Sequence, residues 1–159
     1  MANSEGEAPA EGKKRSLAGL RHQARHYALQ ALYQRQMTGQ SATDIIDQFL
    51  ADNDFSRADQ AYFTEAVRAV IVDSTALDAR YQPYLNDRSL DELGLVERAA
   101  LRLSAWELLE RPDVPYRVAI NEGVSLAKKF GAADSHKFVN AVLDKLAQEV
   151  RRVEIEAGR

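Results

Sequence analysis

Apolar positions recur every three or four residues along most of this chain, the spacing of a single buried helix face. A first helix is predicted over residues 17–37, with Leu17, Leu20, Ala24, Tyr27, Ala28 and Ala31 on its inner side and Gly39 closing it. Thr43 begins a second, marked by Ile45, Ile46, Phe49 and Leu50 and ending near Asn53. Ser56 is the expected cap of a third, whose apolar positions are Tyr62, Phe63, Ala66, Val67, Val70 and Ile71. Helix continues over residues 75–84 until Pro83 disturbs it; residues 86–89 turn, and residues 90–93 make a short helical connector. Residues 95–109 form the most apolar helix, with Val96, Ala99, Leu103 and Trp106 on one face and Leu95, Leu101, Leu108 and Leu109 widening it, as expected of a central element.

Two further helices follow. Tyr116, Ile120, Val124, Ala127 and Phe130 share one face of the first; Val139, Leu143, Leu146 and Val150 share one face of the second. Pro112 and Pro115 fix where the first begins, Gly131 ends it, and Asp134 or Ser135 stands where the side-chain cap of the second belongs. No stretch alternates with period two, and no repeat of solenoid spacing is visible. The expectation is one all-α domain of about seven helices over residues 17–152. A disordered tail over residues 1–16 precedes it, and a frayed tail over residues 153–159 follows.

Charge changes this picture in one place. The net charge is −3, which by itself argues against nucleic acid. Yet residues 12–43 hold six Lys or Arg and no acid, while the rest of the chain holds all 24 acids against 15 basic residues. Such asymmetry points to a basic arm that meets a polyanion. Lys13, Lys14 and Arg15 open the arm; Arg21 with Arg25 and His22 with His26 then form two adjacent i,i+4 rows, a basic strip or else a solvated polar face.

The loop at residues 130–138 offers Phe130, Phe138, His136, Lys137 and a helix N-terminus close together. Helix N-termini favour anions, and aromatics beside a cation suit single-stranded bases. Core packing of the two phenylalanines and capping by Asp134 are the competing readings; Lys137 is the residue that packing explains least.

Catalysis finds little support. There is no cysteine, which excludes disulfides and thiol chemistry. No phosphate-binding glycine loop, zinc-protease motif, calcium loop or nucleophile elbow is present. His22 and His26 have no third ligand nearby in sequence for a metal. Glu92, Glu97 and Glu107 read as surface acids, and Asn121–Glu122 reads as a buried polar pair or a partner contact. No run is long and apolar enough to span a membrane, and residues 1–12 lack the apolar stretch of a signal peptide, so a cytoplasmic protein is expected.

Three segments carry a resemblance. The first is Ala24-Arg25 through Ala28-Leu29-Gln30-Ala31-Leu32-Tyr33. The second is Asp91-Glu92-Leu93-Gly94 with Val96-Glu97-Arg98-Ala99, Leu101-Arg102 and Glu107-Leu108. The third is Val114-Pro115-Tyr116, Val118-Ala119-Ile120-Asn121-Glu122, Leu126-Ala127-Lys128, and Phe130-Gly131 through Asp134-Ser135-His136-Lys137-Phe138-Val139-Asn140 with Val142-Leu143-Asp144. In order and spacing they resemble the NusB transcription antitermination family over roughly residues 20–150.

The resemblance implies a NusB-like helical fold of two small subdomains, with no catalysis and no cofactor. It implies binding to the boxA element of ribosomal RNA leaders together with NusE, a small-subunit ribosomal protein, and support of RNA polymerase through termination signals. Arg21 and Arg25 match arginines of the family's basic motif; His22 and Gln23 stand where further arginines are frequent, with Lys13, Lys14 and Arg15 as substitutes. His22 carries charge only when protonated, so RNA binding is expected to strengthen as pH falls. Tyr33 matches a residue near the RNA and partner surface, and Ala141 replaces a frequent glycine. The RNA-facing set is thus Lys13, Lys14, Arg15, Arg21, His22, Arg25, Tyr33, Asp134 and Lys137. The partner-facing set is Tyr33, Glu92, Glu97, Asn121 and Glu122, of which the three glutamates suit a basic ribosomal protein. The competing expectations are an accessory domain of a ribosomal RNA methyltransferase and a helical interaction module that binds no RNA; a homodimer fits any of the three.

Overall fold

A computed structural model describes residues 16–158; Lys13, Lys14 and Arg15 lie outside the described residues. Among the described residues there are eight α-helices and no strand. They are α1 (Ser16–Thr38), α2 (Ala42–Asp52), α3 (Gln60–Val72), α4 (Ser74–Tyr81), α5 (Leu95–Glu110), α6 (Tyr116–Phe130), α7 (Ser135–Val150) and α8 (Arg152–Glu156). Two 3-10 turns, Gln82–Tyr84 and Leu90–Glu92, join α4 to α5. The eighth helix lies where a frayed tail is expected.

Local chemistry fixes most boundaries. Gly39 adopts a φ of +72° just past α1, where an L side chain would be strained. Ser41 caps α2 by accepting from Asp44 N at 3.1 Å. Ser56 does not cap α3: its own N–H donates to Asp54, and Asp59 accepts from Tyr62 N at 3.0 Å instead. Pro83, which lacks an N–H, falls in the turn after α4.

Helix α5 is the centre, in contact with α1, α3, α4, α6 and α7. Its Ala99, Ala100, Leu101, Leu103, Ala105, Trp106 and Leu108 are all buried, so it is apolar on nearly every side. Each of its three buried leucines contributes about 1.5–3 kcal/mol by leaving water. Helices α1–α3 pack as one group and α4–α7 as another, with α5 reaching both. Helix α6 approaches α5 closely at Gly123, where a Cβ would stand 2.3 Å from Ser104 Oγ.

The C-terminal segment is held by polar contacts that apolar periodicity does not show. Arg151, buried at the end of α7, donates to the carbonyls of Leu108 (2.8 Å), Glu107 (3.1 Å) and Arg111 (2.9 Å), the open end of α5. It also pairs with Glu154 at 2.5 Å, and Glu154 accepts from Tyr116 N at 3.0 Å at the start of α6. Helix α8 thereby closes two helix ends. Leu17, expected on the inner face of α1, is 63% exposed; Leu29 and Leu32 carry that face instead.

Candidate nucleic-acid interface

Helix α1 turns through about 100° per residue, so neighbouring polar residues face different surroundings. Arg25 faces inward. It is 4% exposed, and its Nε donates to Glu107 Oε2 at 2.6 Å. Tyr62 OH donates to the same oxygen, and Glu107 Oε1 is buried with no partner. Burial is the largest influence on Arg25 and opposes its charge, but Glu107, with Tyr62 and Glu122, outweighs it and raises the guanidinium's pKa further; burial pushes the Glu107 carboxyl up, against the pull of Arg25. The expected exposed strip through Arg21 and Arg25 is therefore not formed, and Glu107 is no surface acid.

Arg21 is partly exposed but engaged. Its guanidinium stands 4.5 Å from the centre of the Tyr62 ring, donates to Asp113 at 3.1 Å and lies 3.8 Å from Asp59. Arg111 lies over the same ring at 4.9 Å and binds Glu65 and Asp113. Donation from Arg111, joined by Arg21, outweighs the cost of burial and holds the Asp113 carboxyl well below the usual carboxylate range.

His22 lies on another side of α1. Its Nδ1 is 2.9 Å from Glu122 Oε1 on α6, so a proton there meets a carboxylate before it meets a phosphate. Its ring centre is 4.5 Å from that of His26, which lies edge-on to Phe130 at 5.8 Å. His26 is buried with Nε2 unpartnered; burial, then His22 and Lys129, lower its pKa, and Glu122 works the other way. Lys129 stands 5.7 Å from the Phe130 ring centre.

Two turns beyond His26 along α1, Tyr33 is 37% exposed. It borders an open groove of about 510 Å³ with Gln30, Met37, Phe49, Val96 and Phe130, where α1, α2 and the adjoining ends of α5 and α6 meet. Gln36 ties α1 to α5 by donating to Leu95 O at 2.8 Å.

The start of α7 lies on past the beginning of α5. Glu97 is 8% exposed: it accepts from Gly94 N at 3.0 Å and pairs with Arg88 at 2.8 Å. Burial alone would raise its pKa, but these donors and Ser135 bring it below the ordinary value. Arg88 also covers the half-buried Phe138 ring at 4.1 Å. Glu92 is exposed and accepts from Ser89 N at 2.8 Å. Asp134 has φ +70° and makes no side-chain cap; it pairs instead with Lys137 at 3.5 Å, both largely exposed. Asn121 is exposed on α6.

The structure thus gathers His22, Glu122, Tyr33 and the unforeseen His26, Lys129 and Phe130 contacts on the face shared by α1 and α6. Arg21 lies beside Asp59 and Asp113, and Glu97 serves inside. Phe130 was visible in the loop; the inward turn of Arg25 had its signal in Glu107, an acid beside Trp106 in the most apolar helix. Among the described residues no group of three or more metal-binding side chains converges, and no helix is long and apolar enough to cross a membrane.

The NusB family model matches residues 22–148. Transcription antitermination protein NusB of Pseudomonas fluorescens is 52% identical over 149 residues, 94% of this chain and 89% of that one. The protein of the same name from Alcanivorax borkumensis is 51% identical over 144 residues, 91% of this chain and 95% of that one. Among solved structures, NusB of T. maritima superposes with a TM-score of 0.74 at 29% identity, covering 85% of this chain and 96% of that one. A crystal structure of antitermination factors NusB and NusE in complex with dsRNA gives 0.63 at 26% identity, covering 80% and 96%.

Proposed function

This chain belongs to the NusB family, and from that premise we propose that it is an RNA-binding transcription antitermination factor acting with NusE on boxA RNA of ribosomal RNA leaders. The observation that carries this is the groove bordered by Tyr33 and Phe130, open and apolar, with Lys129 Nζ 5.7 Å from the Phe130 ring centre, in a chain that matches the family over residues 22–148. The covered relatives are antitermination proteins along about nine-tenths of their own length, which favours this reading over an accessory domain of a methyltransferase.

Tyr33 and Phe130 offer ring faces to unstacked bases. Lys129 and Lys137 supply phosphate contacts, with Asp134 orienting Lys137; Lys13, Lys14 and Arg15 extend them as an arm. Arg21 joins by exchanging Asp113 for a phosphate, a small cost because the pair is partly solvated. His22 lies on the RNA side of Glu122. Arg25 acts from within, fixing α1 against α5 rather than touching RNA. Glu92, Asn121 and Glu122 present polar surface to basic NusE, while Glu97 holds the start of α5 that borders the groove. Tyr33 lies between the two surfaces, so each ligand strengthens the other. The work is done in the cytoplasm, within the RNA polymerase antitermination complex, and has no catalytic step.

Size-exclusion chromatography of this protein with NusE and boxA RNA tests the assembly. Co-elution of all three, with a smaller species for the protein alone, is expected. Separate elution of NusE and RNA, or a homodimer that excludes both, would contradict it.

A further inference from the structure

On the opposite side of α1 from the Tyr33 groove, α1, α3, α4 and α5 enclose a second pocket, of about 190 Å³. Its walls include Leu32, Val70, Arg35, Gln36, Ser74 and Arg102. Arg102 is already satisfied: both oxygens of Asp78 accept from it at 2.8 Å. Arg35 is not. It makes no ion pair among the described residues, and its Nε is buried without a hydrogen-bond partner. A buried N–H left so is costly unless an acceptor reaches it. Its Nη1 lies over the Gly39 turn, 3.9 Å from where a Cβ would stand.

Gln36 sets the second requirement. Its Nε2 donates to Leu95 O at 2.8 Å, which fixes the amide, and its Oε1 is buried with no donor. The pocket therefore lacks both an anionic acceptor for Arg35 and a donor for Gln36. Sulfate supplies only the first. Inorganic phosphate supplies both, because it keeps a P–OH at neutral pH. We propose that this pocket is a binding site for hydrogen phosphate, with Arg35 and the Ser74 hydroxyl donating to its oxygens and Gln36 Oε1 accepting from its P–OH. A phosphodiester backbone has no P–OH, so the site is separate from the RNA-facing groove and stands whether or not that reading holds.

The test is a ¹H–¹⁵N NMR titration of the full chain with inorganic phosphate, and with sulfate at matched ionic strength. Saturable shifts centred on residues 35, 36, 39 and 74 are expected, with sulfate about tenfold weaker, the value of one ordinary hydrogen bond near the top of its range. R35Q should weaken phosphate by a similar factor, and R80Q, a surface arginine elsewhere, should not. Q36M should erase the preference for phosphate over sulfate, which keeps the test decisive should R35Q not fold. Equal binding of the two anions by the unaltered protein would show an adventitious ion only, and phosphate binding unchanged in R35Q would overturn the site.

Discussion

Arg25 Nε lies 2.6 Å from Glu107 Oε2, joining α1 to α5 inside the protein across 82 positions of sequence. Breaking one side of such a pair strands a buried charge, at a cost of about 3–5 kcal/mol, whereas replacing both partners by apolar residues removes the need for the pair. Glu107→Leu or Arg25→Met alone should therefore destabilise strongly, and the double variant should recover most of the loss. Urea unfolding of the three proteins measures this; a double variant as unstable as the sum of the singles would show that the pair is not coupled.

Asp113 gives a dependence on acid. Its folded pKa is depressed, chiefly by Arg111 and then Arg21. Its contribution is therefore present above the unfolded value of about 3.9 and is lost as pH falls below it. Asp113→Asn should lose less stability than the parent between about pH 5 and pH 2, read from thermal melts across that range. It should also free Arg21 and tighten RNA binding slightly at neutral pH.

His26 acts in a higher window. Its folded pKa is lowered by burial, His22 and Lys129, with Glu122 opposing. The unfolded chain then binds a proton that the folded chain refuses. Stability is full above about pH 6.5 and falls as the solution is acidified. His26→Gln should flatten that slope; identical slopes between pH 7.5 and 5.5 in parent and variant, values chosen to bracket an imidazole of about 6.5, would remove His26 from the account.

Gly123 is a packing constraint. A methyl group there meets Ser104 Oγ at 2.3 Å and Leu143 Cδ1 at 3.0 Å. Gly123→Ala should cost about 1–3 kcal/mol by overpacking, and Ser104→Gly beside it should return part of that. Guanidinium unfolding of the single and double variants would show whether the restoration occurs.

Much of the fold was legible because helix periodicity registers which residues share a face. Residues 95–109 declared a central helix, Trp106 proved buried, and the two helices flanking Gly131 fall where Pro115 and Gly131 placed them. Periodicity does not say what lies opposite a charged residue. Arg25 and Glu107 each looked suited to solvent, and only the fold reveals that they satisfy one another. For the same reason Arg151 and Glu154 turned an expected frayed end into a helix, since their partners are carbonyl and N–H groups of distant helix ends. Asp134 occupies the predicted cap position, but its left-handed backbone goes with an ion pair to Lys137 in place of the capping bond. The site was legible as a set of residue types and not as a surface. Tyr33 and Phe130 meet across a groove that no local spacing could predict, while Arg21 proved to be held by acids from two other segments.

The most direct test of the RNA-binding groove is fluorescence anisotropy of labelled boxA RNA, beside a scrambled RNA, with and without NusE, for the parent and for Tyr33→Ala. Loss of one stacked base should cost about 1–3 kcal/mol, roughly five- to 150-fold in affinity. BoxA should bind more tightly than the scrambled RNA, NusE should tighten it further, and Tyr33→Ala should lose affinity within that range while still folding. Equal binding of both RNAs, indifferent to NusE and to Tyr33, would contradict this.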